Sequence, residues 1–395
     1  MLENDNPDVE TQRLLRHYYD HLFFILVSNE SKSLQDYLQM IYDDRGVIAR
    51  WDYAVEDGES IDFPYLLSLL LSGCFIIHLL SKPFIAQVSP VEDPECARLW
   101  VHDLWVDLLL LENQIPFFIL ERIAETAGEK AMGSGIGSVT DRIIYGYFEE
   151  FIPLNRLNSE QFRPLHLLHY VHQSLLPDKK SDRLPFFSTM VNLLEKKQSS
   201  SQPPMMRIIP TATRLQEAGV EFMPVEEKGF VVEFQKGVLR LPRLQVRRST
   251  KKFLKNVIAW EQYHHEAVKY VINYAILMDY LVNTSKDIEI LIRSKILEHS
   301  LPTHEEVAAV FNSLGEDIVY TYDTRDGQEY DFLRQLSKEL NEYCENRFNN
   351  WWAKLMSDYF GSPWSIASLV AALFLILFTA TQTFFSGYSY FRPPK

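Results

Sequence analysis

Residues 366–385 read IASLVAALFLILFTATQTFF, and the chain carries no formal charge between Tyr359 and Phe391. Twenty residues in an α-helix span about 30 Å, which matches the hydrocarbon core of a bilayer. Eleven of them are Leu, Ile, Val or Phe. Insertion is therefore favoured by about 3 to 7 kcal/mol before the threonines and the glutamine offset part of it. The sequence predicts a single C-terminal transmembrane helix, with a buried C-terminal helix as the alternative.

Aromatic residues lie on both sides of this segment, as is typical of helix ends at membrane interfaces. The side chains expected to anchor the helix in lipid are Trp364, Ile366, Leu369, Leu373, Leu377 and Phe385. The acidic opening MLENDNPDVE is unlike a secretory signal peptide. We therefore expect a membrane protein anchored by a single pass near its C-terminus. The plasma membrane is the favoured location and an endomembrane the alternative, and basic residues are too evenly placed around the span to fix its orientation.

Composition excludes several classes of protein. The 395 residues include 53 acidic and 39 basic side chains, a net charge of −14, which argues against nucleic acid as a partner. The three cysteines are too few for a disulfide framework or a zinc site. We expect no cofactor and no metal. Membrane lipid and a protein of unknown identity are the expected partners.

The organisation along the chain predicts a mainly α fold. Apolar spacing indicates an N-terminal helical region over 1–197, and the Ser/Gln/Pro-rich stretch 198–204 has the composition of a linker. A second helical region is expected over 205–358, with one small β-hairpin near 231–246 that turns at Lys236-Gly237. The membrane anchor then occupies 359–391.

A second apolar stretch, Phe63 to Ser81, has 19 residues without Asp, Glu, Lys or Arg. It also has the length of a short membrane span. Gly73 and His78 interrupt it, and no aromatic belt brackets it. We therefore predict a buried core helix, and a second membrane span is the alternative.

Local signals place several helix ends in the second region. Thr213 and Gln216 have the spacing of a capping box, and Gly219 is placed to end that short helix. Thr303 and Glu306 repeat the capping-box spacing. A final long helix is expected from about residue 328 towards the membrane.

Three groups of residues invite a chemical interpretation. The loop Gly133–Gly137 lacks the third glycine of a dinucleotide-binding loop and the Gly-Lys-Ser/Thr of a P-loop. It is therefore interpreted as a surface loop. His166, His169 and His172 have a spacing that permits a metal, but no acid or cysteine lies within that turn, so histidines at the edge of the core are favoured. Glu261 and His265 are four residues apart, which predicts an ion pair on a helix surface.

The segment 107–120, DLLLLENQIPFFIL, is the most unusual internal stretch. Glu112, Asn113 and Gln114 interrupt an apolar run, and Pro116 prevents one continuous helix. We expect a helix to end near Glu112 and a new one to begin at Pro116, with the polar triplet bonding the freed backbone groups. Glu112 and Glu261 both precede a Gln-containing stretch (ENQ and EQ) within apolar segments. The alternative hypothesis is therefore a hydrolase or transferase that uses these two glutamates as buried residues.

DLLLLENQIPFFIL closely resembles the hallmark of the plant proteins of domain-of-unknown-function family 247. The other motifs that carry the resemblance are GCFII at 73–77, HLLH at 166–169, IPTATRLQEAGVEF at 209–222, NVIAWEQ at 256–262, DIEIL at 287–291 and YFGSPW at 359–364. The signature core that follows from it comprises Asp107, Glu112, Asn113, Gln114, Pro116, Glu261 and Gln262.

The resemblance implies no established enzymatic activity. Some grass members of the family resemble pollen-side determinants of self-incompatibility, which implies recognition or signalling at a membrane. The leading hypothesis is therefore a non-enzymatic, membrane-anchored plant recognition or signalling protein without catalytic residues. A structural tail-anchored tether is the remaining alternative.

Overall fold

A computed structural model describes residues 33–43, 63–88, 104–127, 138–157, 162–176, 208–226, 228–264, 269–316, 318, 331–346 and 363–391. The predicted linker 198–204 and the glycine-rich loop 133–137 lie outside these residues. So do residues 347–362, which include the first four residues of the predicted anchor.

The fold is mainly helical, as the sequence predicts. The helices are Leu34–Asp43 (α1), Phe63–Val88 (α2), Leu104–Asp107 (α3), Phe117–Ala127 (α4), Val139–Phe148 (α5), Leu167–Leu175 (α6), Ala212–Glu217 (α7), Thr250–Tyr263 (α8), Tyr270–Leu281 (α9), Ser285–Arg293 (α10), His304–Gly315 (α11), Asp331–Glu345 (α12) and Pro363–Phe391 (α13). The strands are Glu221–Pro224 (β1), Glu233–Gln235 (β2), Val238–Leu241 (β3), Leu244–Val246 (β4) and Leu297–His299 (β5).

Helix α2 is a core helix of the N-terminal part and packs against α1, α4 and α5. Leu70, Cys74 and Ile77 recur at helical spacing and are fully buried. A methyl group added at Gly73 would lie 2.5 Å from Ile123 Cδ1, so this glycine permits the close approach of α4. By length and composition the stretch 63–81 is the one candidate membrane span among the described residues, and half of it is buried inside the fold.

The predicted β-hairpin is present between β2 and β3, where Phe234 lies opposite Leu239. Its turn is Lys236-Gly237, and both residues have positive φ, 51° and 81°. The prediction of a single hairpin is nevertheless too simple. Strand β1 pairs in parallel with the other edge of β3, and β4 pairs in parallel with β5 in a second sheet. Pro242, which follows β3, cannot donate to a ladder, so the chain leaves the first sheet there.

Helix caps follow the predicted residues with one correction. Thr303 caps α11 by accepting from the backbone N–H of Glu306. Helix α7 is capped by Thr211 rather than Thr213. Gly219 ends α7 with φ of 88°, as predicted, and the Val220 N–H reaches back to the Leu215 carbonyl.

One hydrophobic core runs through both predicted helical regions. The ring of Trp105, in the first region, lies 5.4 Å from that of Phe253 in the second. Helix α6 packs on α8, and α8 packs in turn on α9 and α11. Polar side chains that connect the two regions, among them His172 and Glu261, lie where these helices meet.

Candidate functional site

Gln114 connects the chain around Pro116 to helix α6. Its Nε2 donates to the carbonyl oxygens of Leu108 (3.0 Å) and Leu110 (2.7 Å). Its Oε1 accepts from the backbone N–H of Leu168 at 2.8 Å. The chain forms only a single 3-10 turn, Leu111–Asn113, before the next helix, and the Leu110 carbonyl also accepts from the Asn113 N–H at 3.0 Å within it. Gln114 thus bonds carbonyls that a continuous helix would pair with its own amides. The predicted role of the polar triplet in bonding backbone groups is confirmed for Gln114.

The neighbouring signature residues bind in the same region. Asn113 donates to the carbonyl oxygen of Asp107 at 3.2 Å. The Asp107 carboxylate forms an ion pair with Lys252 of α8, with 2.5 Å between Oδ1 and Nζ. Asn256, one turn further along α8, accepts from the Leu111 N–H at 3.0 Å. The DLLLLENQ and NVIAWEQ motifs therefore meet directly.

Glu261 is the most deeply buried acid among the described residues, with an exposed fraction of 0%. Its Oε1 accepts from the Val271 N–H (3.0 Å), and its Oε2 accepts from the Ile272 N–H (2.8 Å). These two amides belong to the first turn of α9, where a negative charge is stabilised by the helix dipole. The ring Nε2 of His172, also buried, lies 2.9 Å from Oε1.

This geometry corrects the prediction of a surface ion pair. Glu261 pairs with His172 of α6 inside the fold, and His265 lies outside the described residues. Lys269 is buried beside Glu261, where its Nζ donates to the backbone carbonyls of Glu261 and His264. Gln262 is half-buried. The Glu261 carboxylate therefore caps the first turn of α9 by accepting from two of its backbone amides, and it lies beside the His172 ring.

Histidines pack around Trp260 at the junction of α6 and α8. The ring centroids of His166 and His169 lie 4.5 and 5.0 Å from that of Trp260, and His264 packs on it as well. His166 Nδ1 accepts from the His169 N–H, and His169 Nδ1 accepts from the Leu165 N–H. Both rings must be neutral at Nδ1 to accept these bonds.

Burial keeps these two rings neutral. Burial, with a smaller contribution from nearby histidines, lowers the pKa of His166 to about 3 and that of His169 to about 4. Within the described residues, no three His, Cys, Asp or Glu side chains are arranged to hold a metal ion. The histidines serve there as acceptors for backbone amides and as packing groups.

Asp287 forms a third polar junction. Its Oδ2 accepts from the N–H and hydroxyl of Thr284, completing a capping box at α10. Its Oδ1 accepts from the N–H and hydroxyl of Thr213 in α7, at 2.8 and 2.7 Å. Burial opposes ionisation, but the bonds from Thr213 and Thr284 outweigh it and lower the pKa of Asp287 below its usual value. The IPTATRLQEAGVEF and DIEIL motifs therefore meet at one carboxylate.

A family model described as a plant protein of unknown function, domain-of-unknown-function family 247, matches residues 11–378. The chain belongs to this family. The predicted family membership is thus confirmed, and the polar junctions described above are formed by the motifs that carried the resemblance.

Two curated proteins from Arabidopsis thaliana are similar to this chain. A UPF0481 protein is 28% identical over 344 residues, which cover 84% of this chain and 69% of the relative. A putative UPF0481 protein is 23% identical over 199 residues, or 48% of this chain, and the match spans 36% of that relative. No solved structure matches the chain.

The predicted family signature divides into two groups in the structure. Asp107, Asn113, Gln114 and Glu261 have polar partners, and Pro116 is buried in front of α4. Glu112, by contrast, is exposed. The expectation that the acid–base pair of the enzyme hypothesis consists of buried glutamates is therefore wrong for Glu112. Sequence reasoning missed the structural role of Asp287, although Thr284 and Asp287 have the three-residue spacing of a capping box.

Proposed function

We propose that this family member is a non-enzymatic recognition or signalling protein held on a membrane by helix α13. One observation carries the proposal: the apolar side chains of α13 are exposed. Leu373, Leu377 and Phe385 are 57%, 66% and 62% exposed, whereas half of the apolar stretch 63–81 in helix α2 is buried by its neighbours. A contiguous apolar surface of this kind is stable in a bilayer and unfavourable in water.

The length and hydrogen bonding of α13 support membrane insertion. Its described apolar part, Val370–Ser386, has 17 residues, about 26 Å, and the helix itself continues over Pro363–Phe391. The hydroxyls of Thr379, Thr381 and Thr383 donate to carbonyl oxygens of their own helix at 2.7 to 2.8 Å. Because these groups are bonded within the helix, the threonines cost less on transfer into lipid.

The absence of catalysis is part of the same proposal. The buried acid Glu261 and the amide of Gln114 already bind backbone groups on both of their polar atoms. Polar atoms engaged in this way have no position for a substrate. A rigid helical body whose exposed surface binds a protein partner, at the plasma membrane or an endomembrane, fits this arrangement better than a hydrolase or transferase.

The anchor is tested by extraction of the full-length protein from plant membranes at alkaline pH. Wild type should remain in the membrane pellet. A double variant with Leu373→Arg and Leu377→Arg should shift to the supernatant, because each central arginine opposes insertion by about 2.5 to 3.5 kcal/mol. The matched control, Leu373→Ala with Leu377→Ala, should stay in the pellet. Full extraction of wild type would refute the anchor.

A further inference from the structure

A concentrated basic segment lies within this acidic chain. Between Gln235 and Trp260 there are eight lysine and arginine side chains and no aspartate or glutamate, although acids outnumber bases by 53 to 39 over the whole sequence. The segment runs from β3 through β4 into α8.

The fold gathers most of these charges on one continuous surface. Along β4 the buried residues are Leu244 and Val246, so Arg243 and Arg247 lie with Gln245 on the outward face. On α8 the buried face contains Phe253, Leu254 and Val257, and the basic residues follow the opposite face at spacings of three and four. We call this the basic surface; it comprises Arg243, Arg247, Arg248, Lys251, Lys252 and Lys255.

The charges of the basic surface are only partly compensated. Lys252 forms an ion pair with Asp107, and both side chains are about half exposed. Arg247 is fixed by two bonds to the Gln245 amide oxygen (2.6 and 3.1 Å) and lies over the Phe151 ring. Arg243 and Arg248 are exposed. The surface thus combines one oriented guanidinium with exposed positive charges.

Basic side chains at the N-terminal end of α8 destabilise this helix when no anion is bound there. Lys251 and Lys252 lie in the first turn of α8, Arg248 directly precedes its N-cap, and no acid lies in that turn. Positive charge there opposes the helix dipole, and negative charge would be stabilising. First-turn amides also have no acceptor within the helix. Both features favour binding of an external anion to this end of α8.

We propose that the basic surface docks on the anionic headgroups of the membrane that holds α13. This inference rests on the proposed anchor, because a span in α13 keeps the body within reach of the bilayer surface. Only 17 residues, 346–362, separate α12 from α13 in sequence. Clusters of four to eight basic residues near a span bind the anionic lipids of the cytoplasmic leaflet. The proposal therefore places the body on the cytoplasmic side.

Nucleic acid fits less well, because the remainder of the chain is strongly acidic and would repel a polyanion that extends beyond the patch. A lipid surface presents separate, mobile headgroups that can collect at a local patch of positive charge.

Hydrogen exchange of the full-length protein in nanodiscs tests this docking. One preparation contains phosphatidylcholine alone, and the other contains roughly one-third phosphatidylserine. Peptides covering 243–255 should exchange more slowly with phosphatidylserine, since the first-turn amides of α8 become covered. The protection should be lost at about 0.5 M NaCl, where the Debye length is roughly 4 Å.

A charge-matched pair of variants provides the control. Arg243→Gln, Arg248→Gln and Lys251→Gln together should abolish the protection in phosphatidylserine nanodiscs. Lys286→Gln, Arg293→Gln and Lys338→Gln remove the same charge from α10 and α12 and should retain it.

The outcomes separate this inference from the anchor. Co-elution of the protein with nanodiscs, together with equal exchange of 243–255 in both lipids, would refute the docking and leave the anchor intact. Protein that does not enter nanodiscs would refute the anchor and the docking with it. Protection by added RNA but not by phosphatidylserine would assign the surface to nucleic acid and overturn the proposal.

Discussion

Replacement of Glu261 by Gln tests whether the signature acid holds the fold. In wild type the carboxylate accepts from two backbone amides of α9 and contacts His172, all within 3.0 Å. A glutamine at this site has one acceptor oxygen, so its NH2 group would face one of the amide donors. The variant loses a charge-assisted bond and leaves a buried donor without a partner.

The expected loss follows from these contacts. A hydrogen bond to a charged group contributes about 1.5 to 3 kcal/mol, and a buried unsatisfied donor costs about 1 to 3 kcal/mol. Glu261→Gln should therefore lower the free energy of unfolding by about 3 to 5 kcal/mol. Glu112→Gln, the same change at an exposed signature residue, should alter it by less than about 0.5 kcal/mol.

Urea unfolding of the full-length protein in nanodiscs, followed by far-ultraviolet circular dichroism, measures both variants. The midpoint should fall for Glu261→Gln and stay unchanged for Glu112→Gln. If Glu261→Gln unfolds at the wild-type midpoint, or if both variants lose the same stability, the structural role assigned to Glu261 is wrong.

Three further predictions concern the other junctions. Asp287→Asn should cost about 2 to 4 kcal/mol in urea unfolding, since one oxygen that accepts from a backbone amide and a hydroxyl becomes a donor group; an unchanged midpoint would show that the α7–α10 contact is dispensable. The folded-state pKa of His166 lies below its usual value of 6.5, so protons bind the unfolded chain preferentially and stability falls as pH falls below 6.5. Between pH 7 and 5 His166 should account for a loss of about 2 kcal/mol in the free energy of unfolding, and His169, whose pKa burial lowers to about 4, acts in the same direction. A His166→Asn variant that keeps the full pH slope would refute this assignment. Gly229→Ala should destabilise strongly, because φ is 95° and the added methyl would lie 2.7 Å from the Leu175 carbonyl oxygen; a thermal unfolding midpoint within about 2 °C of wild type would contradict it.

Local features of the structure could be predicted because they depend on neighbouring residues. Pro116 requires a break in the helix, and Gln114 lies within reach of the carbonyls that the break frees. The turn at Lys236-Gly237 follows from the tolerance of glycine for positive φ. In both cases the residues that determine the local structure are separated by only a few positions in the sequence.

Long-range pairings could not be predicted by the same reasoning. Glu261 and His172 are 89 residues apart, and helix periodicity placed Glu261 beside His265 instead. The capping-box spacing predicts that Thr213 caps its own helix, but its hydroxyl donates to Asp287, 74 residues away. The partner of β4 is β5, which belongs to a distant part of the chain. Only tertiary packing decides between such partners.

The membrane topology of the full-length protein is the most direct test of the account. A tag is placed after Lys395, and plant microsomes are treated with protease. Glycosylation is followed at the acceptor sequences NES at Asn29 and NTS at Asn283, of which Asn283 is exposed just before α10. The account predicts an accessible, unglycosylated body and a protected tag. A protected and glycosylated body would contradict the cytoplasmic orientation, and a body and tag on the same side would refute α13 as a membrane span. Asn29 and the tag on one side with Asn283 on the other would show that α2 also crosses the membrane.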